Sequence, residues 1–156
     1  MKLDPKQLVE LLAQHERAIG RLYSLYASNI PAYKRLFDDL SAQEEGHAQL
    51  LEELGTAVSE GELCCLVDRF NPMAVRTALA YVEQQIEQCR VDSHIAPKQA
   101  LSVARDMENS LIESRWFEVF DGDAPRLKET LEQLARETNK HRQLVQAAWI
   151  EATGAG

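Results

Sequence analysis

A carboxylate and an imidazole one helical turn apart, Glu44 and His47, interrupt an otherwise apolar stripe. Phe37, Leu40, Glu44, His47, Leu51 and Leu54 recur at steps of three and four, the period of a helix face that packs on other helices. A carboxylate buried without a partner is expensive, so this face needs a cation. A Glu-x-x-His pair on an inward face is a metal half-site, because both side chains project toward one point. Imidazole with carboxylate suits iron, manganese or zinc.

Three further stripes carry polar residues in their middles. The first is Leu12, Glu16, Ile19, Tyr23 and Tyr26, interrupted by Glu16. Another is Leu101, Ala104, Glu108, Leu111, Arg115 and Val119, with Glu108 as the inward acid and Arg115 placed to pair with it. The last is Leu127, Leu131, Leu134, Thr138, His141, Val145 and Ala148, where Thr138 and His141 repeat the spacing of Glu44 and His47. The pattern is therefore doubled. In each half a lone Glu on one stripe is followed, at nearly the same sequence distance, by a polar pair ending in His. The remaining candidates have plainer roles. His15 and His94 read as surface or loop residues, Tyr23, Trp116 and Trp149 as packing residues, and Cys64 and Cys65 as small hydrophobes.

The elements that must position these residues are punctuated by the five prolines. Proline suits the first turn of a helix, where its missing N–H has no partner to lose. Asp4-Pro5 and Asn71-Pro72 add a capping side chain. The spacing predicts helices over 5–28, 31–56, 72–92, 97–120 and 125–152. Residues 59–70 form the one extended irregular connection, and the tail from Gly154 frays. Short links join the first helix to the second and the fourth to the fifth, so each pair is expected to be an antiparallel hairpin. The chain thus reads as all-α: two hairpins in a four-helix bundle, with an additional helix in the long crossover.

Composition bounds the rest. The 156 residues suit a single domain with a full core. Leu, Ala, Glu and Gln dominate, which favours helix. A net charge of −8 argues against nucleic acid, whose phosphates need a basic face. No apolar run approaches membrane-spanning length, and the opening residues lack the apolar stretch of a signal peptide. Three cysteines without a Cys-x-x-Cys spacing fit neither a disulfide framework nor a thiolate metal module. A reducing cytoplasm is the expected home.

The chain resembles the rubrerythrin-like branch of the ferritin-like superfamily, whose bundles hold two metals between carboxylates. The resemblance rests on His15-Glu16-Arg17 with Tyr23 downstream, on Ala42-Gln43-Glu44-Glu45-Gly46-His47, on Ala104-Arg105-Asp106-Met107-Glu108, and on Leu134 through His141. It implies a di-iron carboxylate centre, with Glu16, Glu44 and His47 on one metal and Glu108 and His141 on the other. It further implies an oxidoreductase acting on peroxide or oxygen, and pairing of bundles as a homodimer. Thr138 stands where the family places its second bridging acid. Glu137, beside it, can swing in from the flank. The intact pair leads to an expectation of tighter binding on the Glu16, Glu44 and His47 side. Two other functions stay open: a non-enzymatic metal-binding or iron-handling bundle, and a metal-free scaffold that has lost part of the site.

Overall fold

The computed structural model describes residues 4–65, 71–110, 115–122 and 125–154, and its helices open at the prolines. Asp4 caps α1 (Pro5–Asn29): its Oδ1 accepts from the Gln7 amide at 2.8 Å, and the Gln7 side chain accepts from the Asp4 amide at 3.1 Å. This reciprocal box satisfies two donors that a helix start otherwise leaves open. The chain turns at Ile30 through a 3₁₀ turn, Pro31–Tyr33, into α2 (Lys34–Ser59). Asn71 caps α3 (Pro72–Val91) by accepting from the Met73 amide at 2.9 Å. The remaining helices are α4 (Pro97–Glu108) and α5 (Pro125–Thr153). The fold is all-α. Among the described residues the extended pieces are β1 (Cys64–Cys65) and β2 (Phe120–Asp121), which pair antiparallel with Cys64 opposite Asp121. No helix among the described residues is long and apolar enough to cross a membrane.

α2 packs along α1, α3 lies on α1, and α4 packs on α5. The core divides into two apolar lobes. One gathers Leu8, Leu12, Leu51, Leu54, Trp116, Val119, Leu127 and Leu134. The other gathers Ile19, Leu22, Tyr26, Phe37, Leu40, Leu101, Ala104, Val145 and Ala148. α1 and α5 therefore run from the first lobe to the second, and α2 runs the opposite way. Between the lobes, at mid-height, lie the buried polar residues His15, Glu16, Glu44, His47, Glu108, Thr138 and His141. A polar layer across the middle of a core removes area that apolar side chains would otherwise bury, and it places its charges away from water.

The expected fourth helix over 97–120 is corrected. Among the described residues α4 ends at Glu108, and a 3₁₀ turn, Trp116–Val119, follows Arg115 and precedes β2. Asn109 and Ser110, which compete for backbone hydrogen bonds, mark the stop. Of the expected stripe beyond Glu108, Val119 is buried and Arg115 is exposed; a 3₁₀ turn has three residues per turn, so it is Trp116 that shares the buried face of Val119. Leu111 lies outside the described residues, as do 66–70 of the long connection. On α3, Val75, Val82 and Ile86 are buried in the chain's own core, with Leu79 packed against it. That face is covered without a partner.

Cys65, half-buried on the small sheet, packs against the first lobe as expected, whereas Cys64 is exposed. Burial pushes the Cys65 thiol up to about 11, so at pH 8 its thiolate is roughly 100-fold scarcer than for an ordinary thiol. Alkylation with iodoacetamide followed by peptide mass spectrometry should label Cys64 first, with Cys65 lagging. Labelling of Cys65 ahead of Cys64 would contradict this placement.

Candidate functional site

Each helix places its polar residue in the layer by the same device, an apolar stripe that dips into both lobes and so fixes the rotation of the helix. On α2 that rotation buries Glu44 and His47, at 0% and 4% exposure, while Glu45 and Glu52 turn outward to Arg17. Those surface pairs contribute little. On α5 it buries Thr138 and His141. Ser41 Oγ donates to the Gly20 carbonyl at 2.7 Å and ties α2 to α1 beside the layer.

Glu44, His47 and His141 converge, their nearest donor atoms all within 4.8 Å of one another. His47 Nδ1 lies 3.7 Å from Glu44 Oε2, and His141 Nδ1 lies 3.5 Å from Glu44 Oε1. These separations exceed hydrogen-bond length. Both Nδ1 atoms and both Glu44 oxygens are buried without a hydrogen bond of good geometry among the described residues. The two imidazoles stack with centroids 5.3 Å apart. Their outer nitrogens are engaged. His47 Nε2 donates to Glu137 Oε2 at 3.2 Å, and His141 Nε2 donates to Gln43 Oε1. With Nε2 as the donor on each ring, the Nδ1 lone pairs face Glu44. Four inward lone-pair sites around a buried carboxylate are a donor set that fits a divalent cation.

Charge in the layer is uneven. Burial alone would raise Glu44, but contact with the Glu16 carboxyl and with both imidazoles outweighs it and holds Glu44 well below the usual carboxylate range. Burial raises Glu108 well above that range; the neighbouring Glu44 charge adds to the shift, while Tyr23 and Arg142 oppose it. Tyr23 donates to Glu108 Oε1 at 2.7 Å. His15 is lowered to about 4 by burial, which the Glu44 charge only partly offsets. Burial also acts to lower His47, but Glu44 and Glu137 outweigh it and raise the imidazole. Tyr23→Phe removes the donor on a buried acid, a loss of about 1–3 kcal/mol. The thermal midpoint is expected to fall, and an unchanged midpoint would mean that the Tyr23–Glu108 bond does not form.

Of the six expected metal ligands, Glu44, His47 and His141 are brought together. Glu16 is buried against Glu44. Glu108 is buried but faces Tyr23, and Glu137 lies on the outside of His47, its side chain 42% exposed. His141 thus joins Glu44 and His47 instead of anchoring a separate half. Arg115 does not pair with Glu108: it is exposed and bound to Glu118 at 2.9 Å, because α4 has already ended. His15, expected at the surface, is 3% exposed. The stripe Leu8, Leu12, His15, Ile19, Leu22 runs beside the one through Glu16 and carries the signal for its burial. Tyr23 is a partner of the site as well as a packing residue, and Trp116 lies with its ring 6.0 Å from His47. Gln43 stands off the stripe, and only its place one turn before His47 hinted at a role. A cavity of about 550 Å³ lined by Gln43, His47, Gln133 and Glu137 borders the layer on the outer side of His47. No family model, curated protein or solved structure matches the chain.

Proposed function

We propose that the chain is a ferritin-like metal protein of the rubrerythrin type that holds iron in its buried polar layer and acts on a small oxidant, peroxide or oxygen. The observation that carries this reading is the convergence of Glu44 with the Nδ1 atoms of His47 and His141 at a buried level between two apolar lobes. The helix directions support the ferritin-like part. α1 and α5 run one way and α2 the other, and a long connection containing α3 joins the two halves. When bound, iron supplies one-electron chemistry toward oxygen species. Glu44, His47 and His141 would hold it, Glu137 and Gln43 orient the two histidines, and Glu108 stays in the same layer as a buried acid bonded to Tyr23.

The test is thermal melting of chelator-treated protein with and without anaerobic Fe(II). A ligand that binds only the folded state stabilises it by about 2.7 kcal/mol at one hundred times its Kd. The parent midpoint should rise and that of Glu44→Ala should not. A parent that gains no stability from Fe(II) would end the metal reading. Peroxide added to the iron-loaded parent should change its optical spectrum; an inert spectrum would remove the oxidant while leaving the metal.

A metal-free scaffold has one observation in its favour. His47 lies between Glu44 and Glu137 and is raised toward its charged form, so an imidazolium supplies part of the neutralising charge. In that reading the Ala variants of Glu44 and His47 lose stability whether or not Fe(II) is present.

A further inference from the structure

We infer that the layer takes one divalent cation per chain, held by a set of two histidines and one carboxylate, with a small exogenous ligand admitted through the cavity at Gln43 and Glu137. This rests on the metal reading above and departs from the paired centre that the doubled sequence pattern suggested.

The donors count to one site. Glu44 Oε1 and Oε2 face His141 Nδ1 and His47 Nδ1 respectively, at 3.5 and 3.7 Å, so a single carboxylate addresses both rings. The ligands meet from two helices and from both halves of the repeat. Each ring is fixed from behind by an oxygen acceptor, Glu137 on His47 and Gln43 on His141. Outer-shell acceptors of this kind set the tautomer and orientation of ligating histidines. Two imidazoles with one carboxylate bind a single Fe(II) and leave positions open.

The bridging donor for a second cation is missing, and the other acids of the layer are wholly or partly committed: Glu16 is buried with its carboxyl against Glu44. A second dication beside the first needs a bridging anion to offset their repulsion. Thr138 occupies the stripe position that mirrors Glu44, and its hydroxyl is neutral and buried. Glu108 accepts from Tyr23 through Oε1 and lies outside the converging group of Glu44, His47 and His141, although its Oε2 is buried without a hydrogen bond of good geometry. Glu137 faces outward, one oxygen on His47 and the other accepting from Gln133 at 3.0 Å.

The open side is the cavity of about 550 Å³ that ends on His47 and Gln43 and is bordered by Glu137 and Lys140. Its lining reaches His47 and the outer partners of both histidines but not Glu44 or His141, so a diatomic or triatomic ligand would enter the layer by passing Gln43 and Glu137.

The experiment is an anaerobic titration of the chelator-treated chain with Fe(II), iron counted after gel filtration, followed by nitric oxide. One iron per chain, all of it giving the half-integer-spin paramagnetic resonance signal of a mononuclear nitrosyl, is expected. Two irons per chain, or a spin-coupled pair lacking that signal, would overturn the inference and leave the metal reading intact. No bound iron would end both. Glu137→Gln should still bind one iron, about 10–100-fold more weakly; complete loss of iron there would put Glu137 inside the set and overturn it. Thr138→Glu, checked for folding by circular dichroism, should take a second iron, and a folded variant that stays at one would overturn the role given to Thr138.

Discussion

His47→Ala and His141→Ala should each lower the affinity of the chelator-treated chain for Fe(II) by at least about 100-fold, and by similar amounts. The expectation follows from their equivalence around Glu44, with Nδ1 distances of 3.7 and 3.5 Å. Losing an outer-shell partner of a metal-bound histidine typically costs 10–100-fold, and losing the ligand itself should exceed that. Because both rings serve one site, the double variant should bind more weakly than either single one, by a factor that is not the simple product of the two losses. His94, exposed in the link before α4, is the control: His94→Ala should leave affinity unchanged. Equilibrium competition against a ferrous chelator measures all four variants. Parental affinity in His141→Ala would place that residue outside the site and return the centre to the α2 side alone.

Trp116→Ala should be among the most destabilising single changes, at about 3–5 kcal/mol. Trp116 is fully buried in the 3₁₀ turn Trp116–Val119, in the lobe with Leu12, Leu54 and Leu134. Its ring packs edge-on to Phe117 at 6.1 Å and lies against His47. Truncation leaves a cavity that a 3₁₀ turn flanked by a short sheet cannot close. For a chain of this length the thermal midpoint should drop by roughly 10 °C. Trp116→Phe keeps most of the volume and should cost less than half as much. Trp149, only partly buried and stacked under Arg105 at 5.4 Å, should lose less on truncation to Ala. Calorimetric melts of the three variants decide it; a larger drop for Trp149→Ala than for Trp116→Ala would contradict the two-lobe core.

Much of the architecture was legible because local signals agreed with the global fold. Asp4-Pro5, Pro31, Asn71-Pro72, Pro97 and Pro125 mark the helix starts or the turn that leads into one, and the inward polar residues Glu16, Glu44, His47, Glu108, Thr138 and His141 are buried as the period required, whereas Arg115 on the Glu108 stripe is exposed. The break after Glu108 was missed because periodicity cannot tell an α-helix from a 3₁₀ turn when apolar residues are three apart. The grouping of the site was missed for a different reason. A stripe gives the level of a side chain along the bundle, but which residues meet across it depends on helix rotation and side-chain torsions. His141 joining Glu44, Gln43 reaching His141 from off the stripe, and Tyr23 capturing Glu108 are all contacts between distant segments. Arg115 was misplaced because its expected contact assumed an unbroken helix.

The most direct measurement is anomalous diffraction at the iron edge from crystals of the Fe(II)-loaded chain. The account predicts a single peak per chain among Glu44, His47 Nδ1 and His141 Nδ1, in the layer between the two apolar lobes. A peak elsewhere, or no peak in crystals grown from iron-saturated protein, would contradict it.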